Sequence, residues 1–470
     1  MSNPARSLSR RWAFVLVPGV ALYFLPLQGI AGPQQHLLAI FAATIFALVA
    51  RPVPMGVSVL VAATLLLVTG TLPAGKVLSG FGDLTVWLVF SAFLFARAIT
   101  TTGLGQRIAY FFISRFGRTS LTLGYSVALS DLVLAPVVPS DTARGGGIMA
   151  PIVRSLAIAL DSNPGPTANR IGTYLTLVGF HCTYAASAMF LTGMVANPLI
   201  ASFARNIAHV DMTWGRWALA ASVPGLCTFA LIPWLLHELS PPDLRETEYA
   251  RAHARLKLEK LGPMSRNERI LVGIMMLVMV GWISAPWHGI GNTIVALAGV
   301  CMILLSGVVK WDDLLGDKAA WDALIWFAIL LMMAEQLNEQ GVIGIISAGV
   351  FRQVHGWPWP LTMAALGIAY LYAHYTFASM TAQVSALYPG FLTAALAAGV
   401  PAALAVWPLA FLSNLNAGIT HYGTGSAPVY FGAGYVTQSD WWIIGFIVSV
   451  VNLGIWFGVG LFWWHLIGMW

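Results

Sequence analysis

The sequence predicts an all-α polytopic membrane protein, with about eleven transmembrane helices plus two re-entrant hairpins in two inverted repeats. Three observations point there. Charged residues are only 9% of 470, where a soluble domain carries roughly a quarter. Hydrophobic residues make up 58%, mean hydropathy is +0.78, and apolar stretches of about 20 residues recur along the chain. A short polar motif also interrupts the apolar pattern at matching places in the two halves. A soluble enzyme, a secreted disulfide scaffold and a disordered chain are excluded by this composition. The net charge of +6 comes from loop Lys and Arg, with no basic run interleaved with aromatics, so no nucleic acid partner is expected.

Residues 1–11 read as a cytoplasmic tail, with Arg6, Arg10 and Arg11 beside a first span that is retained rather than cleaved. The first half, 12–237, carries apolar segments at about 12–31, 36–50, 54–72, 84–99, 121–138, 171–200 and 214–237, with a re-entrant hairpin expected around 121–160. Residues 238–268 form a polar linker holding Arg245, Arg251, Arg255, Lys257, Lys260 and Arg266, the largest basic cluster, and are placed in the cytoplasm. The second half, 269–470, has segments at about 269–286, 290–309, 320–337, 360–378, 401–415 and 441–467, with a second hairpin expected around 360–398. Trp441, Trp442, Trp463 and Trp464 bracket the last segment like an interfacial belt. Cys182, Cys227 and Cys301 stand singly in apolar runs and suit neither disulfides nor metal.

Pro139-Ser140-Asp141-Thr142-Ala143-Arg144 in the first half is echoed by Ala378-Ser379-Met380-Thr381-Ala382-Gln383 in the second. Downstream, Thr192-Gly193 leads to Asn197-Pro198, and Thr424-Gly425 leads to Ala427-Pro428. Two matched helix breaks per half are what a repeat-built secondary transporter needs, because backbone freed at membrane depth must line protein or a watery cavity. Ser140 and Ser379 can each cap a helix start, and two such starts facing one cavity attract an anion. Arg144 is a fixed positive charge whose planar fork suits a carboxylate.

Plainer readings stand beside these. Ser-x-Thr pairs serve as interhelical glue, and Arg144 alone reads equally as a snorkelling interfacial residue. Asp141 repels an anion unless it is paired, protonated, cation-bound or turned away, and Arg144 is its nearest partner in sequence. His374 and His421 read first as hydrogen-bond partners between helices; close to the second-half breaks, they can also carry charge or protons. His181, Asp131 and Glu335 read first as helix-packing hydrogen bonders. Gly70 to Lys76 matches a P-loop pattern, but Val77 stands where the metal-binding hydroxyl belongs, so no ATP-driven pump is expected. Gly80-Phe81-Gly82-Asp83 resembles an intramembrane protease element without its partner aspartate, which leaves a membrane-embedded hydrolase as a remote alternative and no enzyme expected.

These strings together resemble the divalent anion/sodium symporter family, in particular its 2-oxoglutarate/malate translocator and citrate or tartrate/succinate antiporter branch. The resemblance spans almost the whole chain and rests on Val86-Trp87-Leu88, Thr102 to Gly105, Leu134-Ala135-Pro136, Pro139 to Gly147, Met189 to Met194, His374 to Ser379 and Thr420 to Gly425. It implies a homodimer in a bacterial cytoplasmic membrane, with Ser-Asn-Thr motifs at two hairpin tips. Here the matching residues are Ser140-Asp141-Thr142 and Ser379-Met380-Thr381, so both Asn amides are replaced. Sodium is therefore not an expected obligatory cofactor; if the carrier is sodium-coupled, Ser140, Asp141 and Gly193 are the candidate ligands. The expected substrate-facing set is Ser140, Asp141, Thr142, Arg144, Thr192, Gly193, Asn197, His374, Ser379, Met380, Thr381, His421, Thr424 and Gly425. The expected activity is exchange of di- or tricarboxylates by alternating access, with sodium- or proton-coupled symport as the alternative.

Overall fold

A computed structural model describes residues 4–25, 30–50, 52–342, 345 and 357–470. Among the described residues the chain is helical, and the β pairing present is a single bridge between Thr119 and Glu246. Six of these helices are long and apolar enough to cross a membrane: Gly32–Ala50, Leu84–Thr102, Trp214–Leu239, Lys318–Glu339, Ala402–Ile419 and Gln438–Leu466. Shorter apolar helices, including Met55–Val68, Ser120–Leu134 and Asn292–Leu305, complete the body. The first helix runs Pro4–Phe24, so it takes in most of the residues expected as a separate tail.

The chain turns where its chemistry requires. Thr119 accepts from Thr122 N–H and closes a capping box, so Ser120–Leu134 starts there. Ser265 and Glu268 do the same for Arg266–Ile283, one turn inside the expected linker. Within that linker Glu248–Leu261 is itself a helix, basic on its surface and packed along Leu104–Phe116.

Arg107 locks this corner. Its guanidinium bonds both Glu268 oxygens, at 2.6 and 3.2 Å, and the Gly262 carbonyl at 2.7 Å, with only 4% of the Glu268 side chain exposed. Glu268→Ala strands the guanidinium and removes the cap, so it is expected to cost about 2 kcal/mol, somewhat less than a fully buried pair. Thermal unfolding in detergent checks this, with Arg107→Ala predicted to lower the transition similarly.

Helix is interrupted around Thr192-Gly193 and Thr424-Gly425, where the sequence leads to breaks. Gly172–Met189 ends at Phe190, which is extended (φ −132°, ψ 137°), and helix resumes at Asn197–Ala208. Ala402–Leu415 runs through a 3-10 turn to Thr420, also extended (φ −136°, ψ 156°), and helix resumes at Ala427–Gly432. The Thr, Gly, Ser and Asn residues at these sites favour unwound backbone over continuous helix and supply partners for the freed backbone groups.

Each break has a helical hairpin beside it. In the first, Ser120–Leu134 leads through Ala135 to Asp141 into a wide π turn, Thr142–Met149, and then Ala150–Ala159. Both outer ends of this hairpin meet the linker: Thr119 bridges Glu246, and Ser155 Oγ lies 3.4 Å from His253 Nε2. It thus enters and leaves by one end of the molecule. The second hairpin is Trp359–Ala373 and Met380–Ala397, and its second helix packs along Asn197–Ala208, beyond the first break as seen from the linker. The two hairpins are approached from opposite ends.

Candidate functional site

Tips and breaks of both halves converge. Asn197 donates to the Ser187 and Phe190 carbonyls, both at 2.9 Å, and so closes the first break. Its Oδ1 accepts from Asn414 Nδ2 at 2.9 Å, which joins the first break to the second. Thr192 donates to the Pro136 carbonyl at 2.5 Å and accepts from Trp214 Nε1 at 3.0 Å, pinning the first hairpin to its break. Asn197 and Thr192 are therefore framework, buried with no face left for a ligand.

Arg144 is the largest correction. The expectation was a guanidinium open to an anion, or else an interfacial snorkel. Its side chain is fully buried and all five N–H donors are taken. Nε bonds Asp131 at 2.9 Å, one terminal nitrogen bonds the Val138 and Gly193 carbonyls at 2.8 and 3.1 Å, and the other bonds the Thr183 carbonyl and Ser187 hydroxyl at 2.9 and 2.7 Å. One residue thereby ties the hairpin tip, its first helix, the first break and the Gly172–Met189 helix together.

The repeat makes this arrangement intelligible. Gln383 stands where Arg144 stands, four residues after the motif serine, and each reaches back thirteen residues along its own hairpin. Gln383 Nε2 donates to the Tyr370 carbonyl at 2.7 Å, which fixes the amide orientation. Its Oε1 then accepts from Asn416 Nδ2 at 2.5 Å and faces His374 Nδ1 at 2.5 Å. His374 Nε2 in turn faces the Gly423 carbonyl at 2.8 Å. The ring thus bridges an acceptor on its own hairpin and one at the second break. His374, fully buried, therefore holds the second hairpin to its break; the ring does not face a ligand.

Asp141 pairs with neither Arg144 nor any other cation among the described residues. Its carboxylate accepts from Thr424, in a short hydrogen bond, and from Ser426 at 3.3 Å, so the first tip touches the second break. Thr424 is spent in that contact and buried. Met380, at the equivalent place, is a buried apolar residue and offers no ligand atom. Gly193 is buried and its carbonyl is occupied by Arg144, so a guanidinium stands beside one of the three atoms proposed for sodium.

What remains accessible is narrower than the expected set. Thr142 and Gly425 are exposed, and Ser140, Ser379 and Thr381 are half-buried. Ser140 accepts from Ala143 N–H at 3.2 Å at the entry to the π turn, and Ser379 from Ala382 N–H at 3.4 Å at the start of its hairpin's second helix. His421 is half-buried; its Nδ1 accepts from Trp442 Nε1 at 3.0 Å, so a neutral ring carries its proton on Nε2. Asp131, Gln383, Asn414 and Asn416 are structural residues outside the expected substrate-facing set; the sequence signals for them are a lone carboxylate in an apolar run for Asp131 and the placement of Gln383 in the repeat.

Paired hairpins and paired broken helices, approached from opposite ends within an apolar body, define a multi-pass membrane transporter of the inverted-repeat class. The family model for the sodium:sulfate symporter transmembrane region matches residues 6–470. The chain belongs to that family, the one its motifs resemble. It is 45% identical over 454 residues to "Putative malate transporter YflS" of Bacillus subtilis (strain 168), covering 96% of this chain and 95% of that protein. It is 43% identical to "Dicarboxylate transporter 1, chloroplastic" of Arabidopsis thaliana, covering 97% and 82%, and 35% identical to "Inner membrane protein YbhI" of Escherichia coli (strain K12), covering 98% of each. The crystal structure of the Alcanivorax borkumensis YdaH transporter shares the fold, with a TM-score of 0.58 at 16% identity and 99% coverage of both chains.

Proposed function

We propose that this chain exchanges dicarboxylates across a bacterial cytoplasmic membrane by alternating access, as a homodimer. The anion sits between the two hairpin tips, held by the hydroxyls of Ser140 and Thr142 on one and of Ser379 and Thr381 on the other. The names of the Bacillus and chloroplast relatives support the substrate class. Helix N-termini beneath both serines favour negative charge without a mobile cation.

One observation carries the sodium-independent reading. Arg144 bonds the Gly193 carbonyl, so a fixed charge stands beside one of the three candidate sodium ligands. The test is entry of labelled succinate into proteoliposomes preloaded with malate, 2-oxoglutarate, citrate or buffer alone, with and without Na⁺ and a pH gradient. Entry that needs internal anion and ignores Na⁺ supports exchange; entry into empty vesicles driven by Na⁺ contradicts it.

Proton-coupled uptake is the second reading, favoured by Asp141, a buried carboxyl held by hydroxyls and by no cation among the described residues. Asp141→Asn separates the two. Exchange predicts that the variant keeps its pH profile and stays within about threefold of the parent rate, a change of under 1 kcal/mol. Proton coupling predicts that a pH gradient no longer drives uptake.

A further inference from the structure

A cleft of about 550 Å³ opens between the second helix of the first hairpin, Ala150–Ala159, and the helix after the second break, Ala427–Gly432. Arg154, Ser155 and His253 line it, with Thr176, Val429 and Tyr430. Its wall reaches the site described above. A Cβ built on Gly146, in the π turn after Thr142, lies 3.3 Å from Val429, and Ser426, one turn before Tyr430, bonds Asp141. The outer part is at the linker end, where Ser155 meets His253.

The charges in this cleft are of one sign. No Asp or Glu is among its lining residues. Arg154 is exposed and forms no ion pair or hydrogen bond among the described residues, in contrast to Arg107, Arg144, Arg205 and Arg251, each of which has an acidic partner. His253 is held below the ordinary histidine range, first by burial and then by Lys257 and Lys260, so at neutral pH it is mostly uncharged and Arg154 is the standing charge. A cleft on the opposite face also holds arginines, Arg205 and Arg216, but Asp211 lies among them and pairs with Arg205 at 3.0 Å.

We propose that the linker-end cleft is a capture site for the transported carboxylate, in which Arg154 binds one carboxylate group of the dianion before it reaches Thr142. This rests on the carrier reading for the identity of the anion, but not for the sign of its charge. An unpaired cation in a cleft with low-dielectric walls concentrates counter-ions, and its planar fork takes a carboxylate in two bonds. The apolar remainder of the wall holds the anion weakly enough to let it move on.

Labelling tests this without relying on flux. Cys301 is exposed and is replaced by serine, Cys182 is buried, and Cys227 is half-buried and is followed in the parent as background. In the Ser155→Cys variant in phosphatidylcholine nanodiscs, an anionic thiosulfonate is expected to react about three- to tenfold faster than a cationic one, as one nearby charge dictates. Arg154→Gln should abolish that preference, and millimolar malate or succinate should slow labelling. Equal rates for the two reagents, no protection by either dicarboxylate, or a preference for the anion that vanishes once phosphatidylglycerol is included would overturn the proposal, the last outcome assigning Arg154 to a lipid headgroup. If the parent protein proves to move no dicarboxylate, a retained, Arg154-dependent preference for anionic reagent still supports an anion site here while the carrier reading falls.

Discussion

Arg144→Lys is expected to abolish transport and to destabilise the fold, although it keeps the charge. The ammonium reaches one or two of the partners that the guanidinium holds at once, so Asp131 or the carbonyls of Val138, Gly193 and Thr183 lose a donor in a buried place. Breaking a buried pair of this kind costs about 3–5 kcal/mol, enough to lower an unfolding transition by many degrees. A substrate-facing arginine behaves differently: lysine in its place weakens half-saturation and leaves unfolding unchanged. Unfolding and exchange, measured on the same preparation, separate these roles. A well-folded Arg144→Lys protein with only a raised half-saturation would contradict the structural role. Asp131→Asn leaves the buried guanidinium without its counter-charge and is predicted to show the same paired loss.

Gly425→Ala is the second large effect. A Cβ built there falls 2.3 Å from Thr142 Oγ1 and 2.9 Å from its Cγ2, a separation real contacts do not show. The added methyl must push the first tip away from the second break and strain the Asp141–Thr424 hydrogen bond. Overpacking costs about 1–3 kcal/mol, which at the transport step is a rate loss of roughly five- to a hundredfold. Because Gly425 is exposed, most of the protein's packing is untouched, and the unfolding transition should move little. Relief of the rate loss by Thr142→Ser in the double variant, which removes the Cγ2 methyl and keeps the hydroxyl, identifies the clash as the cause.

The fold was legible because its signals are local. Depletion of charge and runs of apolar residues place the helices, and Thr192-Gly193 and Thr424-Gly425 interrupt those runs where the helices break. The serine motifs were legible for the same reason, each sitting beside a helix start. The roles of the charges were not. Asp141 and Arg144 are three apart, which on a regular helix makes them neighbours, whereas the chain there enters a wide π turn that departs from the regular step. Arg144 then points back along the hairpin to Asp131, brought close only because Ala135 to Asp141 reverses the chain. The partners of His374 were not legible for the same reason: Gln383 and Gly423 are set by a hairpin and a break that meet in space.

Density for a bound dicarboxylate tests the central claim most directly. Cryo-EM reconstructions of the protein with saturating malate and without it should differ by a feature between the two tips, within hydrogen-bond distance of Thr142 and Thr381, with Arg144 still bonded to Asp131. Density that instead breaks the Arg144–Asp131 pair, or that contacts one tip alone, would contradict an anion held between two hairpins by hydroxyls and helix starts.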